Sequence, residues 1–293
     1  MVVVGSANLD LVATTTRLPG PGETVLGSHF AQHPGGKGLN QAVAASRSGA
    51  AVTIIAALGD DDAARNLVDV IESEGIDVSQ VAVVAGAPTG RAVITVDARG
   101  ENTIVVIPGA NELARVELLP AIGPATVLLA QLEVPIATAM AAFTAARTAG
   151  IRTMLNPSPA PVGGLADELL SLCDIVVPNE HEVDLLGGVD HLLSSGVGAV
   201  VVTRGAAGVT VTERSADLPD AVVWSVDAFE VDPIDTTGAG DAFCGALAAR
   251  LAAGDDLRDA VRYAAAAGAL ATTVAGAVPS IPIATDIQGL IQR

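Results

Sequence analysis

The stretch Thr126-Val-Leu-Leu129, with polar Gln131 and Glu133 just beyond it, the helical pattern from Ile136 to Ala149 and the segment Thr153-Met-Leu155 read as strand, helix and strand. Apolar runs of the same kind recur at Val2 to Val4, Val52 to Ala57, Ile175 to Val177 and Val200 to Thr203. Further helical patterns lie between them at Ala63 to Ser73 and Gly164 to Leu172. This alternation builds βαβ units, so the expected fold is α/β, with a mainly parallel central sheet flanked by helices. Ligands of such sheets bind beyond the carboxyl ends of the strands. The residues that follow the runs are polar: Asn8 and Asp10, Gly59 and Asp60, Gln131 and Glu133, Asn156, Asn179 and Glu182, and Thr203 to Gly205. A site is expected there.

Outward from that frame, Arg91 to Asp97 and Thr103 to Pro108 flank a short turn-rich loop and read as a β-hairpin. Residues 11–33, rich in Thr, Pro and Gly, can pair with it. The expectation is one α/β domain over residues 1–293, with a small β-sheet lid built from segments of about 11–33 and 88–110. Neither an internal repeat nor a low-complexity linker interrupts the chain.

The 293 residues are half apolar and only 2% aromatic, so the core must be made of Val, Leu, Ile and Ala. Lys and Arg number 15 against 33 Asp and Glu, a formal charge of −18 that repels nucleic acid and anionic membranes alike. Two cysteines, Cys173 and Cys244, form neither a disulfide framework nor a metal-ligand spacing. His29, His33, His181 and His191 are scattered without metal spacing. The N-terminus lacks a basic region followed by a long apolar one, and no apolar run is long enough for a membrane span, so the cytoplasm is the expected compartment. One count is sharper. The sole lysine is Lys37, set among glycines in Pro34-Gly-Gly-Lys-Gly38.

Two segments carry chemistry. In Asp235-Thr-Thr-Gly-Ala-Gly-Asp241, Gly238 and Gly240 allow a tight turn and close backbone approach, and Ala242 to Ala253 then reads as a helix closed by Gly254. Free N–H groups at that helix start suit an anion such as phosphate. Asp241 can cap the helix, or it can take a proton from an attacking hydroxyl. The segment is neither a Walker loop nor a dinucleotide fingerprint. In Gly35-Gly-Lys-Gly-Leu-Asn40, glycines let backbone N–H groups and a lysine approach a small polar ligand, and a helix follows. The same residues would also make a plain glycine-rich turn.

Together, Gly35-Gly-Lys-Gly-Leu-Asn-Gln-Ala-Val-Ala-Ala and Asp235-Thr-Thr-Gly-Ala-Gly-Asp-Ala-Phe resemble the two signatures of the PfkB, or ribokinase-like, family of sugar and nucleoside kinases. Gly5 to Asp10, Pro21 to Thr24, Ile107 to Asn111, Gln131 to Glu133, Asn156 to Pro159 and Gly276 to Ser280 extend the likeness over nearly the whole chain, closest to the ribokinase branch. The resemblance implies ATP-dependent phosphorylation of D-ribose at its 5-hydroxyl. The alternatives are 2-deoxyribose, fructose or adenosine as acceptor, or a non-catalytic sugar-binding sensor. It implies that Asn8, Asp10, Gly36, Lys37, Asn40 and Glu133 hold sugar hydroxyls and that Asp241 is the general base. Backbone N–H groups from Thr237 through Gly238, Ala239 and Gly240 would stabilise the transferred phosphoryl group. Asn179, Thr203, Gly205 and Gly208, with Gly238 and Gly240, would bind the nucleotide, and Glu182 would sit near Mg²⁺. Asp235, Thr237, Ala271, Val274, Gly276 and Ser280 match the positions of a K⁺ site, although Asp235 could equally brace its own loop. A homodimer formed through the lid is also implied. The chain departs from the family in two places. The segment between Glu182 and Val200 is shorter than usual, which trims a crossover helix, and Ala265 stands where an Asn or His often faces adenine.

Overall fold

A computed structural model describes residues 1–115, 125–214 and 221–293. Strands β1 (Val2–Val4), β4 (Thr53–Gly59), β5 (Val81–Val84), β8 (Val127–Ala130), β9 (Arg152–Leu155), β10 (Ile175–Val176) and β11 (Ala199–Thr203) run parallel. Two further strands, β12 (Val209–Glu213) and β13 (Val222–Val226), add antiparallel at one edge, giving the order β13-β12-β11-β10-β9-β8-β1-β4-β5. The sequence reading located six of these strands to within a residue or two and missed β5, β12 and β13.

Alternate side chains of each strand enter opposite layers. Val3, Ile54, Leu129, Met154 and Val201 pack against α1 (Lys37–Arg47), α2 (Asp62–Ser73), α7 (Ala239–Ala253), α8 (Leu257–Ala271) and α9 (Ala284–Ile291). Val2, Val4, Leu128, Leu155, Val176 and Val200 pack against α3 (Ile136–Thr148), α4 (Asp167–Leu170), α5 (Glu180–Leu185) and α6 (Val189–Ser194). A sheet covered on both faces needs continuous apolar strands, and β1 and β8 are buried at every position. Helix α4 is a single turn rather than the longer helix expected from Gly164 onward, because Gly163 and Gly164 hold left-handed φ values of 99° and 83° just before it. The expected shortening after Glu182 leaves α5 and α6, each of 6 residues, as the crossover to β11.

Helices α1 and α7 cross closely. A side chain at Gly245 would lie 2.6 Å from the Cβ of Ala44 and 3.0 Å from the Ala45 N, so only glycine admits this approach. Ala-rich α7 is apolar around nearly its whole circumference and lies buried, which is the pattern of a helix inside a layer rather than on its surface. It ends at Gly254 in the left-handed conformation, as its sequence requires.

The second sheet has four strands in the order β3-β2-β6-β7: β2 (Asn8–Thr15), β3 (Gly27–Gly35), β6 (Gly90–Val96) and β7 (Asn102–Ile107). The hairpin β6-β7 and the 11–33 segment therefore pair as the sequence predicts, with β2 parallel to β6 and antiparallel to β3. Asp61 fixes this sheet to the main one. Its carboxylate caps α2 through the Ala64 N–H (3.0 Å) and accepts from the Thr89 hydroxyl (2.6 Å), the Thr89 N–H (3.1 Å) and Arg91 (2.9 Å). Burial works to raise its pKa, but these donors outweigh that and hold it at about 2.

Asp61→Ala should therefore lower stability by about 2 kcal/mol in urea titrations at neutral pH, by loss of a cap and of charge-assisted bonds. A carboxyl depressed in the folded state contributes stability that is present above its unfolded pKa and lost as pH falls through the folded one. The parent's stability should thus fall between about pH 4 and about pH 2 more steeply than the variant's. Parallel curves would show that Asp61 does not anchor the joint.

Candidate active site

The chain leaves β1 through Gly5-Ser-Ala and enters β2, and the start of α1 packs directly on that turn. A Cβ at Gly36, whose φ is 89°, would lie 2.9 Å from the Asn8 N, and one at Gly38 would lie 2.5 Å from the Ser6 N. Glycine at both positions is what lets Lys37 start a helix against this turn. Glu133, just beyond β8, ties the pieces together by accepting from the Lys37 N–H at 2.9 Å and from the Ser6 hydroxyl. Asn8 is buried, and its side-chain oxygen accepts from Asn111 at 2.8 Å, while Asn111 in turn accepts from the Ala7 N–H at 3.1 Å.

Three carboxylates and one ammonium share this space. Asp10 on β2 is pushed up to about 7, first by burial and then by the negative charges of Glu133 and Asp241. Burial acts to lower the pKa of Lys37, but the fields of Asp241, Glu133 and Glu182 override it, so the group is raised and stays an ammonium. The side chain of Asp241, in the first turn of α7 and 7% exposed, accepts from Asn40 Nδ2 on Oδ2 at 2.9 Å and from Gln41 Nε2 on Oδ1 at 2.8 Å. It does not cap α7. That position belongs to Gly238, left-handed at φ 77°, where a Cβ would lie 3.1 Å from the Ala277 Cα.

At the head of α7 the donors are sorted differently from the expectation. The Thr237 N–H is taken by Asp235 Oδ1 at 2.9 Å and the Ala239 N–H by the Thr236 carbonyl at 3.2 Å. Among the described residues the N–H groups of Gly238, Gly240 and Asp241 have no partner, which leaves an anion-binding nest. A Cβ on Gly240 would meet nothing within 4 Å, so no neighbour among the described residues forces glycine there, and the position opens onto the cavities.

Three cavities carry the candidate site residues, and two of them meet at this helix start. One of about 540 Å³ is lined by Asn8, Asn111, Glu133 and apolar Val106, Leu132 and Pro135. The next, of about 310 Å³, holds Lys37, Asn156, Asn179, Glu182, Gly240 and Asp241. The largest, of about 940 Å³, is walled by Gly205, Gly208, Phe243, Ala265 and Gly268. It shares Thr203, Thr236 and Gly240 with the second, so the polar centre opens into the long groove.

Asn179 and Glu182 form a reciprocal capping box on α5: Glu182 N–H donates to Asn179 Oδ1 at 2.8 Å, and Asn179 N–H donates to Glu182 Oε2 at 2.9 Å. Local helix chemistry thus accounts for their spacing, while both still face the central cavity. Gly208, left-handed at φ 82°, packs against the Ala228 N, which a Cβ would approach to 2.9 Å. Asp235 accepts from the Gly276 N–H at 2.8 Å as well as from Thr237, so it does brace its loop, and these bonds lower its pKa against the opposing effect of burial. Its bonds do not reach Ala271, Val274 or Ser280. Val274 is half exposed, and the Ser280 hydroxyl donates to the Ala277 carbonyl at 2.8 Å. No group of three or more metal-ligating side chains occurs among the described residues.

Ser6 and Gln41 received no role from the sequence. Their signals were present: Ser6 occupies the turn after β1, and Gln41 lies four residues from Lys37, on the same face of α1.

This geometry has well-defined relatives. The pfkB family carbohydrate kinase profile matches residues 1–284. A ribokinase of Staphylococcus aureus is 39% identical over 306 residues, covering 98% of each chain. The ribokinase structure from Thermotoga maritima superposes with a TM-score of 0.90 at 32% identity, over 100% of this chain and 99% of that one. The Arabidopsis thaliana ribokinase complexed with ribose and ATP gives 0.87 at 28% identity, over 100% and 98%. On this evidence the chain belongs to the pfkB family of carbohydrate kinases.

Proposed function

We propose that this chain transfers the γ-phosphoryl group of ATP to the 5-hydroxyl of D-ribose. The observation that carries the reading is the position of Asp241. Its carboxylate lines the polar cavity next to Gly240, where that cavity meets the larger groove, and beside the unengaged N–H groups of Gly238 and Gly240. Asp10, Asn40 and Glu133 offer acceptors and donors suited to sugar hydroxyls, and a missing hydroxyl would leave one of them unpaired in a buried site. Asp241 takes the proton of the 5-hydroxyl as its oxygen bonds to the γ-phosphorus. The bond from that phosphorus to the bridging oxygen breaks, and ADP leaves with the electron pair. Lys37 and the N–H groups of Gly238 and Gly240 oppose the charge on the phosphoryl oxygens. Ala265 offers the base no polar side chain at its own position in the groove wall.

Metal ions complete the chemistry. Glu182 keeps one carboxylate oxygen outside its capping box, facing the central cavity, and Mg²⁺ needs few protein ligands, so this donor set fits an ion that screens phosphate charge. Asp235, Thr237, Ser280 and the carbonyls of Ala271, Val274 and Gly276 are all hard oxygen donors, and the Asp235 to Gly276 bond keeps their two loops together. That set suits K⁺, whose charge would favour the anion at the neighbouring helix start.

The small sheet acts as the lid of a single domain, closing on sugar and excluding water. Its edge strand β7 is exposed along its whole length, with Ile104, Val105, Val106 and Ile107 all more than 40% accessible. Such an edge calls for a partner, and a second lid across a two-fold axis supplies one. Among the described residues no helix is long and apolar enough to cross a membrane.

Four measurements test these readings. ADP release with ATP and Mg²⁺ should be strong with ribose and weak with 2-deoxyribose, fructose, adenosine or no sugar. Asp241→Asn should keep ribose binding by calorimetry and lose roughly 10²- to 10⁴-fold in kcat, and undiminished turnover would remove Asp241 from the role of base. Activity in Na⁺ or Tris should fall well below that in K⁺ at equal circular dichroism, and equal rates would sink the cation site. Val105→Asp should shift sedimentation from dimer to monomer, whereas a monomeric parent protein would end the lid-pairing idea.

A further inference from the structure

Gln41 is fully buried one residue beyond Asn40, and each of its polar atoms is engaged. Its Nε2 donates to Asp241 Oδ1 at 2.8 Å and to Asn156 Oδ1 at 3.0 Å, and its Oε1 accepts from Gln131 Nε2 at 2.6 Å. Asn156 in turn donates through Nδ2 to the Val177 carbonyl at 2.9 Å. That bond fixes the direction of the whole chain. With its N–H₂ committed to Val177, Asn156 can present only oxygen to Gln41, so Gln41 must present its N–H₂ to both Asn156 and Asp241. Its oxygen then faces Gln131, which can only donate. Gln131 is buried as well, and its carboxamide fills the place that a Cβ on Gly5 would occupy. In this arrangement Gln131 Oε1 is left without a partner, a cost borne inside the core while the donor chain stays directed at Asp241.

We infer that Gln41, backed by Gln131 and Asn156, is a positioning residue for the general base: it fixes the rotation of the Asp241 carboxylate through a donor on Oδ1. The inference rests on Asp241 being that base. A carboxylate facing a substrate hydroxyl must aim a lone pair at it, and a donor on each oxygen, Asn40 on one and Gln41 on the other, leaves little freedom of rotation. The charged and titratable groups around Asp241 are Lys37 from α1, Asp10 from β2 and Cys244 from α7 itself, with Glu133 and Glu182 in the same field. Of these only Lys37 is a cation.

The test is the pH dependence of kcat and of ribose KM for the parent, Gln41→Met, Gln131→Met and Asp241→Asn. For Gln41→Met, kcat should fall about 10- to 100-fold by loss of a bond to a charged group, while ribose KM stays close to the parent value. The acid limb of kcat should also move upward by about one pH unit, since a carboxylate stripped of a donor is more basic. Gln131→Met does not touch Asp241 and should shift the limb in the same direction by less. A folded Gln41→Met enzyme with parental kcat and acid limb overturns the inference. Should that variant fail to fold, an unmoved limb in Gln131→Met overturns it equally. The underlying reading fails separately. Asp241→Asn with full turnover rejects Asp241 as base, whereas a dead Asp241→Asn beside a normal Gln41→Met rejects only the relay.

Discussion

The site depends on how closely α7 approaches α1. Gly245 removes the one side chain that would hold the helices apart, and the Asp241 to Gly245 face of α7 then meets the Gln41 to Ala45 face of α1. Both helices begin at glycine-rich turns, but the first N–H groups of α1 are taken by Glu133, Ser6 and Gly36, whereas among the described residues those of Gly238, Gly240 and Asp241 at the start of α7 are free. Widening that crossing by the size of a methyl group would separate Asp241 from Asn40 and Gln41 before it disturbed any strand. Packing density in one apolar layer thus sets the geometry of a polar site.

A chain of net charge −18 has to admit a polyanion, and the means are local. Lys37, the only lysine, is held among Asp241, Glu133 and Glu182, whose fields keep it an ammonium beside the start of α7. The helix start adds partial positive charge without adding a side chain. Elsewhere the acidic surface is free to serve solvation, because its repulsion falls off within about 8–10 Å at physiological salt.

Much of this was legible in the sequence, for physical reasons. The parallel strands are buried on both faces and so appear as unbroken apolar runs, and of the polar residues beyond their carboxyl ends Asn8, Glu133, Asn156, Asn179, Glu182, Thr203 and Gly205 line the cavities. The edge strands β12 and β13 were not seen because they alternate, as Val209-Thr-Val-Thr-Glu213 does, and sit near turn residues that read as loop. The site's glycines announced themselves, since Gly36 and Gly238 need left-handed backbone. Roles were harder to read. Asn40 matches a sugar-binding position, yet in the fold its amide donates to Asp241; Glu133 matches another, yet it also clamps Ser6 and the Lys37 N–H. Which partner a polar side chain takes depends on residues one to two hundred positions away, and no local pattern encodes that.

The gathering of Asp10, Glu133 and Asp241 has a thermodynamic meaning as well. Three carboxylates around one ammonium repel each other when no sugar is present, and Asp10 is pushed up to about 7 first by burial and then by the charges of Glu133 and Asp241. A polyol brings hydroxyl protons to that space and no charge of its own, so it converts mutual repulsion into hydrogen bonds to anions, which are among the stronger kind. An anionic sugar phosphate would gain nothing comparable there. The same electrostatics that favour a neutral polyol therefore disfavour its phosphorylated product, and binding of substrate and release of product draw on one arrangement of charge.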